Sequence, residues 1–224
     1  MVGASAIAEA LRRAGLTYVR LTEQELVHQV SRDLAAGRIV GWFQGRSEVG
    51  PRALGNRSIL ADPRDAGMKE RLNSRVKQRA WFRPFAPAIL EERVTEFFET
   101  EQADPFMTMA PKVRAGKARL IHAAVHFDGT ARIQTVGRST NPRLYAVIER
   151  FADLTGVPVI LNTSFNRREP IVQTAEEAIS CYLRTQMDVL VVGNFHSLRE
   201  DLAPLPRRFA ELHAPARYDS TTVR

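Results

Sequence analysis

The chain has 224 residues, 44% hydrophobic and 25% charged, enough for a sizeable core and unlike a disordered or fibrous composition. No apolar run approaches the ~18 residues of a membrane-spanning helix, and the lone cysteine, Cys181, has no partner for an internal disulfide. The net charge of +7 rests on arginine, since only Lys69, Lys77, Lys112 and Lys117 are lysines, and so points to phosphate, carboxylate or RNA as ligand.

Residues 4–16 read as an amphipathic helix and, with two arginines and no long apolar centre, not as a signal peptide. A cytoplasmic location is the expectation. Thr22 and Glu25 form a capping box ahead of a stripe of Leu26, Val30 and Leu34, and Gly37 closes that helix. A buried strand is expected over 38–43 and another over 58–61, with a glycine- and arginine-rich loop between them. A helix is expected from Asp62 to about Val76, then an irregular stretch whose prolines, Pro84 and Pro87, forbid a regular helix. Ala88 to Leu90 reads as a strand, 91–100 as a short helix and 101–119 as irregular. Asp128-Gly129 between two apolar runs predicts a hairpin of strands 121–127 and 130–136.

Asn141-Pro142 marks a helix start, and Gly156 its end. A buried strand is expected over 157–161, then a helix opened by the capping box Thr174 with Glu177, then a last strand over 188–192. From Ser197 the composition turns to proline, arginine and small residues, so 1–196 is expected to form the domain and 197–224 a loosely attached tail. Helices alternating with short buried strands indicate an α/β fold with a mixed sheet.

Three loops carry the chemistry: 45–57, 77–85 and 162–170. Loops at strand ends are where α/β folds place ligands. In the first, Gly45, Gly50 and Gly55 allow close backbone approach, while Arg46, Arg52 and Arg57 supply cationic forks beside Ser58. Glu48, the one acid there, is expected to orient an arginine by an ion pair. The second brings Lys77, Arg79 and Arg83, with Trp81, Phe82 and Phe85 packed beneath them, Trp81 and Phe85 as core. The third offers the neutral groups of Asn162, Thr163, Ser164 and Asn166, suited to a carbonyl, amide or ribose. His126 and Arg132 border the same pocket. His122 and His126 lack a helical zinc signature, and no metal site is expected. Neither a P-loop nor a GxGxxG pattern is present, and no Ser-His-Asp or Cys-His arrangement stands out. Transfer of a phosphoryl or nucleotidyl group needs cations and positioning rather than a nucleophile, which suits this set. Arginines gathered in compact loops, not along an exposed stripe, favour a small polyanion over RNA.

The motifs GWFQGRSEVGPRALGNRSILADPR, VKQRAWFRPFAPAIL, HFDGTARIQTV, NPRLYAVIERFADLTGVPVILNTSFN, EPIV and MDVLVVGNF resemble the C-terminal part of the O-carbamoyltransferases of antibiotic and nodulation-factor biosynthesis. The likeness runs in order from roughly Ala6 to Phe195. It implies a YrdC-like fold, a twisted mixed sheet flanked by helices. It also implies a carbamoyltransferase module that makes carbamoyl adenylate from carbamoyl phosphate and ATP with Mg²⁺. In the family a separate actin-like-ATPase-fold domain with an iron site then passes the carbamoyl group to an acceptor hydroxyl; nothing here resembles that domain, so the expectation is either an isolated module or one subunit of a split enzyme, with a separate transfer subunit as partner in the second case. The resemblance implies Arg46, Arg52, Arg57, Lys77, Arg79 and Arg83 around the phosphates and carbamoyl phosphate, and Asn162, Ser164 and Asn166 near the nucleotide or carbamoyl end; among them Arg52, Lys77 and Arg83 are expected to be catalytic. Glu48, Gly50, Gly55, Ser58, His126, Arg132 and Thr163 are expected to complete the substrate-binding set. An RNA-binding module and a non-catalytic partner of a separate transferase are the alternatives. Two departures stand out: Ala80 where the family has glutamate, and a loop before Glu169 one residue shorter, lacking a glycine.

Overall fold

Capping residues decide where the helices begin. In the computed structural model, which describes residues 3–201, helix α1 (Ala4–Arg13) turns Ile7, Ala10 and Leu11 inward. Strand β1 (Val19–Arg20) follows. In α2 (Glu23–Ala35) the Thr22 hydroxyl accepts from the Glu25 amide at 3.3 Å, and Glu25 accepts from the Thr22 amide at 2.8 Å. Each partner satisfies an amide that the first turn leaves orphaned. The stripe of Leu26, Val30 and Leu34 is fully buried, and each such side chain contributes roughly 1.5–3 kcal/mol over an exposed one.

Strands β2 (Val40–Phe43) and β3 (Arg57–Ala61) bracket the arginine loop. Helix α3 (Met68–Arg71) starts later than expected and runs directly into a π-helical turn, Leu72–Lys77. The wider turn ends on Gln78, whose φ of 46° is left-handed. Strand β4 (Ala86–Leu90), helix α4 (Val94–Phe97) and strand β5 (Gln134–Val136) come next. Helix α5 (Pro142–Thr155) has Asn141 as cap and proline in its first turn, and Gly156 closes it at φ 75°. Strand β6 (Val159–Ser164), helix α6 (Ala175–Arg184) and strands β7 (Val189–Val192) and β8 (Phe195–Leu198) complete the chain.

The strands form one mixed sheet in the order β1-β8-β7-β2-β3-β6-β4-β5. Only the β2–β7 and β4–β5 pairs are parallel. Helices α2 and α5 pack on each other, α5 also meets β4 and β6, and α6 meets β2 and β7. Trp42, Phe151, Phe165 and Tyr182 are among the largest fully buried side chains of the core. Gly41 in β2 is glycine for a steric reason: a Cβ there would meet the Phe165 ring at 2.8 Å and the Met187 sulfur at 3.2 Å.

Several expectations are corrected. The Asp128-Gly129 turn exists, with the His126 amide donating to the Thr130 carbonyl at 2.8 Å, but no hairpin flanks it. Residues His122–Ala124 wind into a 3₁₀ turn, and β5 pairs parallel with β4. The Asp128 carboxylate caps the Thr130 amide and hydroxyl at 3.0 and 2.7 Å, and Thr130 makes a single antiparallel bridge to Lys112 in place of a hairpin ladder. Strand β6 extends through Asn162, Thr163 and Ser164, which makes these strand residues paired with β3. Ser197 and Leu198, expected to open the tail, belong to β8 and pair with β7; residues 202–224 of that tail lie outside the described residues. Trp81 and Phe82 are 74% and 62% exposed, not core; only Phe85 is buried.

Candidate functional site

The loop between β2 and β3 folds around Glu48. Its carboxylate accepts from the amides of Leu54 at 2.8 Å, Asn56 at 2.9 Å and Arg57 at 3.3 Å. This corrects its expected role: Glu48 orders backbone rather than an arginine side chain. Burial pushes its carboxyl upward, and the three amides pull it back. Gly55 sits at φ 120°, and a Cβ there would come within 2.6 Å of Asn141 and Leu144, so its use is to let the start of α5 approach. Gly45 and Gly50 also have positive φ, with open space around them.

The second loop hangs on Asn73, a fully buried residue of the π-helical turn. Its Nδ2 donates to the carbonyls of Trp81 and Arg83, both at 2.9 Å, and its Oδ1 accepts from Arg79 Nε at 2.7 Å. The Arg79 guanidinium lies 4.7 Å from the centre of the Phe85 ring. Arg79 is thus held from two sides while its outer face stays open.

The third wall is β6. Asn162 donates from Nδ2 to Gln134 Oε1 at 2.7 Å and to the Ala53 carbonyl at 3.2 Å, and Gln134 Nε2 donates to the Leu54 carbonyl at 2.7 Å. This network fixes the orientation of both amides. It also leaves Asn162 Oδ1 buried without a partner. Further along, Lys77 Nζ is surrounded by Ser164 O at 2.5 Å, Asn166 Oδ1 at 2.8 Å, Asn166 O at 2.9 Å and Ser164 Oγ at 3.2 Å. Burial, then the charge of Arg79, pushes Lys77 down to about 7.

These walls enclose a cavity of about 210 Å³. Four arginines line it, Arg52, Arg79, Arg83 and Arg132, together with Asn162, Thr163 and Ser164, and no carboxylate does. No hydrogen bond or ion pair ties the Arg52, Arg83 or Arg132 side chain to another described residue, and Arg132 Nε is buried and unpartnered. Burial followed by the charges of Arg83 and Arg132 pushes Arg79 down to about 10. Burial and then Arg52 lower Arg132. Like charges gathered without counter-ions are unfavourable in the free protein, and an anion relieves them. The volume is below the roughly 300–1,000 Å³ of clefts for drug-sized ligands, so the cavity suits a small anion.

Other expected site residues lie elsewhere. Arg46 and Arg57 line a separate cavity of about 780 Å³ beside Arg143. Arg57 is spent on backbone: its guanidinium donates to the carbonyls of Gln44 at 2.5 Å, Asn56 at 3.0 Å and Gly45 at 3.3 Å, over the Phe43 ring. Ser58 is fully buried within β3. His126 Nδ1 bonds Thr130 Oγ1 at 2.9 Å, and its ring does not line the arginine cavity. Lys77 and Asn166 stand behind the wall, acting on it through Ser164. Cys181 is buried, and burial pushes its thiol up to about 12, which makes it no nucleophile. Sequence reasoning missed Asn73, Gln134, Asp104 and Met107. Gln134 had a weak signal, an amide next to Ile133 in a segment read as strand; Asn73, in a helical pattern of charged residues, had none.

A family model described as the carbamoyltransferase C-terminus matches residues 31–199. Nodulation protein NolO of Bradyrhizobium diazoefficiens is 54% identical over 166 residues, 72% of this chain and 30% of that protein. A 3′-hydroxymethylcephem-O-carbamoyltransferase of Amycolatopsis lactamdurans is 39% identical over 184 residues, 81% of this chain and 35% of that one. The chain therefore spans about a third of the length of these relatives. Among solved structures, full-length HypF in its phosphate- and nucleotide-bound form superposes with a TM-score of 0.54 at 20% identity, over 77% of this chain and 25% of that one. That likeness speaks to the fold, which is YrdC-like. Among the described residues no helix is long and apolar enough to cross a membrane.

Proposed function

The chain belongs to the carbamoyltransferase C-terminal family, and from that premise we propose that its four-arginine cavity binds carbamoyl phosphate and forms carbamoyl adenylate with ATP. Carbamoyl phosphate first loses its phosphate to water, leaving carbamate. A carbamate oxygen then attacks the α-phosphorus of ATP, the bond from that phosphorus to the bridging oxygen breaks, and pyrophosphate leaves with the electron pair.

The observation that carries this reading is the set of arginine side chains around a small cavity with no carboxylate to neutralise them. Arg52 and Arg83, free of protein partners, neutralise the transferring phosphates, with Arg79 and Arg132 completing the field. Asn162 Oδ1, buried without a donor, suits the carbamoyl NH₂ group. Lys77 is a positioning residue: it holds Ser164 and Asn166 and adds charge from behind. The nucleoside has no room in about 210 Å³ beside the acyl phosphate and extends out of the mouth. Among the described residues no group of three or more His, Cys, Asp or Glu can hold a metal ion, so Mg²⁺ arrives on the nucleotide, where it neutralises phosphate charge. The carbamoyl group then passes to a transfer domain or subunit of the kind that makes up the rest of the longer relatives.

Protein incubated with MgATP and carbamoyl phosphate is expected to release pyrophosphate in an amount that depends on both. Absence of pyrophosphate, alone and with a cognate transfer subunit, overturns the proposal.

A further inference from the structure

The described residues contain two non-glycine positions with positive φ, Gln78 at 46° and Met107 at 59°. Both belong to segments that build the arginine cavity. Left-handed backbone costs a residue with a Cβ roughly 1–2 kcal/mol and persists only where the surroundings impose it. For Met107 the imposing group is Asp104, a buried carboxylate that accepts from the amides of Met109 at 2.6 Å, Thr108 at 2.7 Å and Phe106 at 3.2 Å, and from the Thr108 hydroxyl at 2.9 Å. Asp104 is itself tied to β5: its amide donates to Thr135 Oγ1 and its carbonyl accepts from the Thr135 amide, both at 2.9 Å. The strained turn carries the Met107 side chain into the cavity wall, 5% exposed.

The apolar lining consists of Pro51, Ala53, Pro84, Phe85, Ala86 and Met107. Four of these are short. Phe85 supports Arg79 from below. Met107 is therefore the one long side chain whose truncation enlarges the cavity without removing a cation or a cation's support.

We infer that Met107 sets the size of the acyl group admitted to the arginine cavity, restricting it to acyl phosphates as small as carbamoyl phosphate. The inference rests on the reading of the cavity as an acyl-phosphate site. Thioether and terminal methyl fill the space that a longer acyl chain needs, and a methylene that must be excluded or accommodated changes affinity by about tenfold or more.

Equilibrium binding of carbamoyl phosphate and butyryl phosphate to wild type and to Met107→Gly tests this. Glycine suits φ 59°, so the backbone survives the change; should the variant not fold, Met107→Ala gives the same readout, and Met107→Leu serves as the volume-conserving control. Wild type is expected to prefer carbamoyl phosphate by more than about tenfold, and the glycine variant to bring the two within about threefold. A general loosening of the site would weaken both ligands alike and leave their ratio unchanged, which overturns the role of Met107 while leaving the acyl-phosphate reading in place. Wild type that binds neither ligand overturns both.

Discussion

Two arginine clusters flank the loop between β2 and β3, and they differ in what their guanidinium groups already hold. Around the smaller cavity, Arg52, Arg83 and Arg132 have no hydrogen-bonding partner among the described residues, and Arg79 keeps one face open. Around the larger one, Arg57 gives both terminal nitrogens to three backbone carbonyls, and Arg143 is engaged by both oxygens of Glu23, Gln44 Oε1 and Asn194 Oδ1. The first set stores unsatisfied charge inside a small cavity, where a ligand can use it; in the second, Arg57 and Arg143 have spent donors on the fold and Arg46 is exposed to solvent. Arginine content alone does not mark an anion site, and the state of the donors does.

Arg52→Ala is expected to give the largest separation between the two clusters. It removes a preorganised cation at little structural cost, so pyrophosphate formation should fall roughly 10²–10³-fold, with a melting temperature unchanged or raised as like-charge repulsion eases. Arg57→Ala should do the reverse. It strips a donor from three backbone carbonyls, that of Gln44 buried, and should cost about 1–3 kcal/mol of stability, read by chemical denaturation; a variant as stable as wild type would break the comparison.

Gln134→Leu sharpens the account of how the small cavity is held. It leaves the Leu54 carbonyl unpaired and frees Asn162, and should cost about 1–3 kcal/mol together with a raised KM for carbamoyl phosphate. The smallest effect concerns pH. Lys77 titrates near 7 in the folded, ligand-free protein and near its ordinary 10.5 when unfolded. Between those values the unfolded chain holds the proton and the folded one does not, so this group's contribution to ligand-free stability rises with pH across that window. A bound anion favours the ammonium, so anion affinity should fall as pH rises through about 7. In Lys77→Met that inflection should disappear, and a profile identical to wild type would remove Lys77 from the field at the site.

Local chemistry was legible in the sequence and pairing between distant segments was not. The capping boxes at Thr22 and Thr174 and the Asn141-Pro142 start act within one turn of chain, and each helix begins there. Strand β8 was missed because its pairing with β7 depends on a short turn at Gly193-Asn194 within a segment that reads as loop. The Asp128-Gly129 hairpin was misread because the same dipeptide closes a turn capped by its own aspartate. At the site, two loops were legible as cation-rich and the third as rich in neutral polar groups, and Arg52, Arg79, Arg83, Arg132 and Asn162 do meet at one cavity. The diversion of Arg57 onto backbone carbonyls, and the buried supports Asn73 and Asp104, depend on which groups become neighbours after folding. Spacing along the chain carries no trace of that.

Titration of carbamoyl phosphate into Arg52→Ala and Arg46→Ala, side by side with wild type, tests the division between the clusters most directly. Arg46 is exposed, carries the same charge and lines the larger cavity. The account predicts that Arg52→Ala weakens binding by more than about tenfold and that Arg46→Ala stays within about threefold of wild type. Equal losses in both variants, or a greater loss in Arg46→Ala, would contradict it.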